Sequence, residues 1–159
     1  MTVMADAESS LHRARRIIES REQRTTDKRC KLLAVMLAEQ KPLSAYELTD
    51  KYNREYGEHI IATSVYRILD WLVNASVAHR LNALNKYVAC QQEVCIQHGS
   101  ISLLVICKHC EKVSEKHISD SLRQAIDEHV SQSKFSHVSQ HIEMTGECEK
   151  CQNQIHQRP

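Results

Sequence analysis

The sequence predicts an α+β protein made of two parts that differ in chemistry, and three observations support this. The first 76 residues contain three or four amphipathic helical patterns, and after Ser76 the apolar period changes to two. Short apolar strands and one further helical pattern follow from residue 101. Six of the seven cysteines lie from residue 90 onward, and 159 residues are enough for two small domains.

Two helices are predicted at the N-terminus. Residues 8–23 are polar and Arg-rich, with apolar side chains at helical spacing. Thr25 or Thr26 can cap the next helix, because a hydroxyl oxygen accepts a hydrogen bond from an amide of the first turn. Pro42 prevents that helix from continuing, since proline lacks the backbone donor.

The third and fourth helices follow from a capping pattern and from an apolar stripe. In Ser44-Ala45-Tyr46-Glu47 the serine hydroxyl can cap an amide while Glu47 reaches back to the serine amide. Gly57 can end this helix. A fourth helix begins near Ala62, and its buried face at i, i+3, i+4 and i+7 consists of Val65, Ile68, Leu69 and Leu72.

A hairpin follows the helices. Residues 77–81 form a strand, because the side chains that share one face recur every second residue. Residues 82–85 supply a turn, and residues 86–90 form a return strand. Helices followed by a hairpin are the order of a winged helix, and a linker is expected after it.

The second part should combine strands with one helix. We expect strands at 101–106, around Val113 and at 135–144, a helix at 119–130, and a frayed C-terminus. The side chains of the helix that should point inward are Leu122, Ala125, Ile126 and His129 or Val130.

The composition argues against several classes of protein. A net charge of +1 is too small for nonspecific coating of nucleic acid, so any such contact must come from a local patch. No apolar run approaches 18 residues, and residues 1–10 lack an apolar signal core. We therefore expect a cytoplasmic protein with no membrane partner, whose cysteines serve metal binding or thiol chemistry rather than disulfides.

Two Cys-x-x-Cys turns provide the strongest chemical signal. They are Cys107-Lys108-His109-Cys110 and Cys148-Glu149-Lys150-Cys151. Two intervening residues let both sulfurs of a turn reach one ion, and zinc favours four such ligands in a tetrahedron. The 37 residues between the pairs exceed the spacing of an isolated zinc finger, so a structural zinc would pin the last segment to the strand at 101–106.

A redox disulfide and two unrelated buried pairs are the alternatives to zinc. A redox Cys-x-x-Cys usually begins a helix after a strand in a thioredoxin-like unit, and neither pair is expected to have that setting.

Several sequence segments, in the same order along the chain, resemble those of a known protein family. They are Ser44-Ala45-Tyr46-Glu47-Leu48, Thr63-Ser64-Val65-Tyr66-Arg67-Ile68-Leu69, the two cysteine pairs, and Glu143-Met144-Thr145-Gly146-Glu147-Cys148. Over about residues 10–152 the chain resembles the ferric uptake regulator (Fur) superfamily, and Tyr87-Val88-Ala89-Cys90 favours its zinc uptake regulator (Zur) branch. The resemblance implies a winged-helix DNA-binding domain over 1–90, a hinge over 91–100, and an α/β dimerisation and zinc-binding domain over 101–159, assembled as a homodimer.

The resemblance also implies a second, regulatory zinc, and its ligand positions match His79, Cys90, His98 and Glu115. Mixed nitrogen, sulfur and oxygen donors suit a reversible zinc site. Because His79 and Cys90 precede the hinge and Glu115 follows it, one ion would lock the hinge and favour the DNA-competent state. We therefore expect two zinc ions per monomer.

Each regulatory position also has a plain structural interpretation. His79 can be an ordinary strand histidine and Cys90 a small core residue. His98 can be a solvated linker histidine, and Glu115 a surface charge. Cys95 is the substitute for His98 if the linker folds differently. Where the family often has further histidines, this chain has Gly99, Ser100 and Ser102 before the first cysteine pair and Ser139 in the last strand, so an iron-type third site is weak or absent here.

The fourth helix is the expected DNA reader, because a recognition helix places its N-terminal residues nearest the bases. Its polar face there carries Thr63, Ser64, Tyr66 and Arg67. Arginine can contact guanine through two hydrogen bonds, and the Tyr46 hydroxyl can reach a phosphate. The resemblance implies a dimer that reads a pseudo-palindromic, AT-rich operator.

The main functional hypothesis is a zinc-responsive transcriptional repressor of zinc-uptake genes, with zinc as co-repressor. An iron-, manganese- or thiol-redox/peroxide-responsive regulator of the same superfamily is the alternative. An enzyme is not expected. A zinc deaminase needs His-x-Glu followed by Pro-Cys-x-x-Cys, but no proline precedes either cysteine pair, and His141-Ile142-Glu143, which has the His-x-Glu spacing, is expected on a strand next to the structural site. The His-Glu-x-x-His of metalloproteases is absent.

Overall fold

A computed structural model describes residues 2–21, 24–39, 41–90, 101–135 and 141–156. The chain divides into two compact units, Met1–Cys90 and Gln91–Pro159. Within the described residues, no helix has both the length and the apolar character needed to cross a bilayer.

The first unit contains four helices followed by a two-stranded antiparallel sheet. The elements are α1 (Thr2–Glu19), α2 (Asp27–Ala38), α3 (Ala45–Tyr56), α4 (Ala62–Asn74), β1 (Ala78–Leu81) and β2 (Lys86–Ala89). Ala78 lies opposite Ala89 in the hairpin. Leu43, just before α3, exchanges two backbone hydrogen bonds with Tyr87 and so attaches the hairpin to the helices. This is a winged helix, as predicted.

Local sequence signals set the ends of these helices. Thr26 caps α2, since its side chain accepts from the amide of Arg29. Ser44 and Glu47 form the predicted capping box at the start of α3. Gly57 ends α3 in the left-handed region with φ of +60°, where a side chain would be strained.

The hydrophobic core of the first unit lies between the helices and the hairpin. The buried face of α4 includes Val65, Leu69 and Leu72, three of the four predicted positions, while Ile68 is half-buried. It packs with Ile18 of α1 and other apolar residues of α2 and α3. This packing leaves the opposite face of α4 exposed.

The second unit is a three-stranded sheet with two helices. Its elements are β3 (Ser102–Cys107), β4 (Val113–His117), α5 (Asp120–Gln132), β5 (His141–Gly146) and α6 (Glu149–His156). The strand order is β4-β3-β5, with β3 antiparallel to β4 and parallel to β5. The strongly apolar β3 is therefore central, as its composition favours.

The structure corrects one expectation for the second unit and adds one helix. No side chain of α5 is buried, and Leu122 is 50% exposed, whereas the apolar side chains of this helix were predicted to point inward. The sequence did not predict α6, which begins within the second cysteine turn and extends to His156. The residues after His156, for which fraying was predicted, lie outside the described residues. The predicted strand at 135–144 begins at His141 in the described residues, and residues 136–140 lie outside them.

Candidate metal centres and nucleic-acid interface

The four cysteines of the two Cys-x-x-Cys turns come together at one edge of the three-stranded sheet. Cys107 ends β3 and lies opposite Gly146 of β5, so parallel pairing brings the two turns to the same edge. The four sulfur atoms lie within 4.8 Å of one another, and those of Cys110 and Cys148 are 3.7 Å apart. Four free cysteines converging in this way form a tetrathiol cluster.

The backbone already stabilises a thiolate in this cluster. The amide of Cys148 donates to Cys107 Sγ at 3.4 Å. Backbone amides of Cys148, Cys110 and His109 lower the pKa of Cys107 to about 6. The pKa of Cys151 is raised to about 12, first by its hydrogen bond with Cys148 and then by burial. One metal ion bound by all four sulfurs would replace the protons for which they compete, so the cluster is suited to binding a cation.

An ion-paired clamp joins the two turns outside the sulfurs. Glu147 Oε1 lies 2.7 Å from Lys108 Nζ and 3.2 Å from His109 Nε2. The hydrogen bond from Lys108 is the main cause of the lowered pKa of Glu147, and it raises the pKa of Lys108 in return. Lys108 also donates its backbone amide to the carbonyl of Gly146 at 2.9 Å. The spacing of the cysteines did not predict this clamp, because it depends on the pairing of β3 with β5.

The setting of the second pair differs from the expectation. Cys148 follows β5 closely, and α6 begins at Glu149, so this pair does stand between a strand and a helix. The expectation that neither pair has this setting is therefore wrong. The other two cysteines nevertheless lie within 4.8 Å of this pair, and that convergence favours a shared metal ion over an isolated redox couple.

A second pair of metal-type ligands lies in the hairpin of the first unit. His79 is on β1, and Cys90 follows β2 and donates its amide to the carbonyl of Val77 at 2.9 Å. This register places the two side chains diagonally on one face of the hairpin. A ring nitrogen of His79 and the Cys90 sulfur lie within 4.8 Å of each other, and both residues are buried.

The other two predicted regulatory ligands, Glu115 and His98, come later in the sequence. Glu115 is half-buried on β4 of the second unit, and one of its oxygens accepts a hydrogen bond from the Ser102 hydroxyl at 3.0 Å. His98 and its possible substitute Cys95 lie outside the described residues.

The structure also contains a polar pair that the sequence did not single out as a contact. His141 Nε2 and Glu143 Oε1 are 3.0 Å apart on β5, with side chains only 15% and 14% exposed. Their i, i+2 spacing on a strand could have indicated a shared face.

The exposed face of α4 presents the predicted DNA-contacting side chains. Thr63, Tyr66 and Arg67 are exposed, whereas Ser64 is half-buried. Tyr46 of α3 is 67% exposed and contacts Tyr66 edge to face, with ring centroids 6.4 Å apart. Two helices thus present one continuous polar and aromatic surface.

The sequence did not single out Ile61, which precedes α4. It occupies the N-cap position, where no side chain caps the helix, and it is 56% exposed.

Comparison with known proteins identifies the family. The family model described as the ferric uptake regulator family matches residues 20–145. The chain belongs to this family. Among curated relatives, the zinc uptake regulation protein of Escherichia coli (strain K12) is 29% identical over 143 residues, which cover 89% of this chain and 80% of that protein.

Two solved structures extend the comparison to the fold of this ferric uptake regulator family member. A zinc uptake regulator complexed with zinc and DNA matches with a TM-score of 0.78 and 26% identity, covering 94% of this chain and 97% of that one. The structure of holo XcZur matches with a TM-score of 0.75 and 30% identity, covering 91% and 98%. The predicted resemblance and the predicted fold class are both confirmed.

Proposed function

We propose that this chain is a zinc-responsive, DNA-binding transcriptional repressor of zinc-uptake genes, with zinc as its co-repressor. The observation that carries the proposal is the His79–Cys90 pair in the hairpin of the winged helix, separate from the tetrathiol cluster. A family member with two kinds of metal-type site can use one for structure and the other for sensing. The relatives named as zinc uptake regulators support zinc as the signal.

The tetrathiol cluster would hold the structural ion. Zinc is well suited to four thiolates, and in such a closed site it acts as a cross-link rather than a catalyst. Here it would tie the start of α6 to the end of β3. We propose that this ion stays bound across the range of zinc concentrations to which the regulator responds.

The second zinc would be the regulatory one, held by His79, Cys90, His98 and Glu115. His79 and Cys90 belong to the first unit and Glu115 to the second. An ion bound by all of them would restrict the hinge proposed at residues 91–100, between domains 1–90 and 101–159. Zinc would then shift the population toward the arrangement that binds DNA.

DNA would contact the surface formed by α4 and the start of α3. Its proposed contacts are Tyr46, Thr63, Ser64, Tyr66 and Arg67. A homodimer would present two such surfaces to a pseudo-palindromic, AT-rich operator, with the second domain forming the dimer. As a regulator of transcription, the protein would act in the cytoplasm and carry out no catalysis.

The sensing proposal is tested by counting zinc and measuring operator binding in chelator-buffered zinc. The wild-type protein should retain two zinc ions per chain and bind the operator only above a threshold of free zinc. Cys90→Ala should retain one ion and require more zinc for binding. The matched control is Cys30→Ala, because Cys30 is a buried thiol of the same unit whose pKa is raised by burial.

Operator binding by Cys90→Ala with an unchanged zinc threshold would refute the sensing mechanism. If operator binding by the wild-type protein depends on iron or manganese and not on zinc, zinc is not the co-repressor. If mild oxidation removes one ion per chain and also abolishes DNA binding, the protein is instead a thiol-redox regulator.

DNA readout is tested separately with Arg67→Ala and the control Arg54→Ala. Arg54 is exposed near the end of α3, on the helix that carries Tyr46 but at its other end. Loss of a guanine contact should weaken specific binding by about 1–3 kcal/mol and relax specificity at one base position. If the two variants weaken operator binding equally, Arg67 contributes only its positive charge and no contact to a base.

A further inference from the structure

Ser102 is an unusual residue in this chain because its polar side chain is buried. Among the described residues, His79 and Ser102 are the only two buried polar or charged residues. Ser102 is 3% exposed and begins the central strand β3. Its hydroxyl donates to Glu115 Oε1 at 3.0 Å. One buried polar residue is thus a proposed zinc ligand, and the other contacts a proposed zinc ligand.

The strand register explains how the serine reaches the carboxylate. Ser102 lies opposite His117 of β4, and Leu104 lies opposite Glu115. Ser102 and Glu115 are therefore diagonal neighbours on the same face of the sheet, a separation that a glutamate side chain can span. The hydrogen bond joins two strands of the second unit and does not depend on the first unit.

We propose that Ser102 is a positioning residue for the regulatory zinc, since its O–H fixes the carboxylate of Glu115 in one orientation. This inference rests on the proposed function. A free glutamate side chain has many rotamers, and binding a metal would have to restrict them. A carboxylate offers about four lone-pair sites, so the hydrogen bond from Ser102 does not by itself prevent Glu115 from binding a metal.

A group that hydrogen-bonds to a metal ligand, and so orients it, has a measurable effect on the affinity of the site for the metal. Removing such a partner typically weakens metal binding about 10–100-fold. A hydroxyl bound to one carboxylate oxygen belongs at the lower end of this range. Ser102→Ala should therefore raise the dissociation constant of the weaker zinc site about 10-fold and leave the tetrathiol site occupied.

The experiment uses the full-length protein and competition for zinc with a chromophoric chelator. The variants are Ser102→Ala, Ser102→Thr and the control Ser114→Ala. Threonine keeps the hydroxyl and suits a strand, so it should restore affinity to within about threefold of wild type. Ser114 is a half-buried serine beside Glu115 on β4, and its side chain points to the other face of the sheet. Its removal should leave both sites unchanged.

A double-mutant cycle separates positioning from a structural role. In the Glu115→Ala background, removing the Ser102 hydroxyl should change zinc affinity less than about twofold, because the group that it positions is already absent. A further tenfold loss in that background would overturn the proposal. So would wild-type affinity in Ser102→Ala, or loss of the tetrathiol zinc from that variant.

Failure of the proposed function would look different. In that case the wild-type chain itself would bind a single zinc, or its DNA binding would not depend on the second ion. The wild-type titration is therefore read first, and the variants are compared only with it.

Discussion

The capping box at the start of α3 gives a prediction whose size follows from two hydrogen bonds. Ser44 Oγ accepts from the Glu47 amide at 3.2 Å, and Glu47 Oε2 accepts from the Ser44 amide at 2.7 Å. Ser44→Ala removes the first bond and leaves an amide of the first turn without its side-chain acceptor. The same turn carries Tyr46, so the cap also holds a proposed DNA contact in place.

The expected loss is about 1 kcal/mol of unfolding free energy, within the range of about 0.5–2 kcal/mol measured for helix caps. For a unit of the size of Met1–Cys90, this lowers the melting temperature by roughly 4–8 °C. Thr49→Ala is the matched control on the same helix. The Thr49 hydroxyl donates to the carbonyl of Ala45 inside the helix, and losing such a bond should be neutral or slightly stabilising.

Tryptophan fluorescence provides an assay specific to the first unit. Trp71 is the single tryptophan of the chain and lies on α4, where the Arg29 guanidinium stacks 3.9 Å from its ring centroid. Urea or thermal unfolding followed at this residue should show Ser44→Ala shifted and Thr49→Ala not shifted. Equal shifts in the two variants, or none in Ser44→Ala, would refute the assigned energetic role of the cap.

The same cap predicts a pH dependence. The hydrogen bond from the Ser44 amide holds the pKa of Glu47 below its ordinary value. A carboxyl group with a lowered folded pKa stabilises the protein above its unfolded pKa of about 4.3, and this stabilisation is lost as the pH falls through the folded value. The difference in stability between wild type and Glu47→Gln should therefore be largest near neutral pH and disappear in acid. A difference that grows in acid would contradict this sign.

Three further predictions concern other parts of the chain. Ile61→Ser should supply the missing cap of α4 and stabilise the first unit by up to about 1 kcal/mol, measured by Trp71 fluorescence during urea unfolding. Leu69→Ala should destabilise the same unit by about 2–5 kcal/mol in the same assay, because the side chain is fully buried. Glu147→Gln should weaken the clamp between the cysteine turns and speed zinc transfer from the tetrathiol cluster to a chelator, whereas the exposed control Glu128→Gln should not.

Each of these predictions has a clear contrary result. A less stable Ile61→Ser protein would show that the isoleucine side chain contributes packing that outweighs a cap. A small effect of Leu69→Ala would mean that the core collapses to fill the cavity. Unchanged zinc transfer from Glu147→Gln would show that the sulfurs alone control release.

The sequence predicted those features that depend on neighbours a few residues apart. The capping box of Ser44 and Glu47, the left-handed end at Gly57 and the apolar stripe of α4 all follow from spacing of one to seven residues. The two Cys-x-x-Cys turns are equally local. The order of helices and hairpin was enough to predict the winged helix.

The sequence was less informative where a side chain's environment depends on the rest of the fold. The apolar side of α5 was expected to be buried, but helical spacing shows only which side is apolar and not whether another element covers it. The helix α6 was missed because its eight residues are a short and polar pattern. The regulatory ligand His98 stays a prediction, since it lies outside the described residues.

By itself, the sequence determined the helices α1 to α5, the hairpin and the pairs of cysteines, because turns and helix periods are encoded by residues close together in the chain. The sequence predicted that the two cysteine pairs share one ion, and in the tertiary structure their sulfurs lie within 4.8 Å of one another. Only the tertiary structure showed that Glu147 clamps their turns and that Ser102 donates a hydrogen bond to Glu115. Those contacts depend on the parallel pairing of β3 with β5 and on the register of β3 with β4. Strand register is decided by packing of the whole sheet, so residues far apart in sequence become neighbours only in the folded unit.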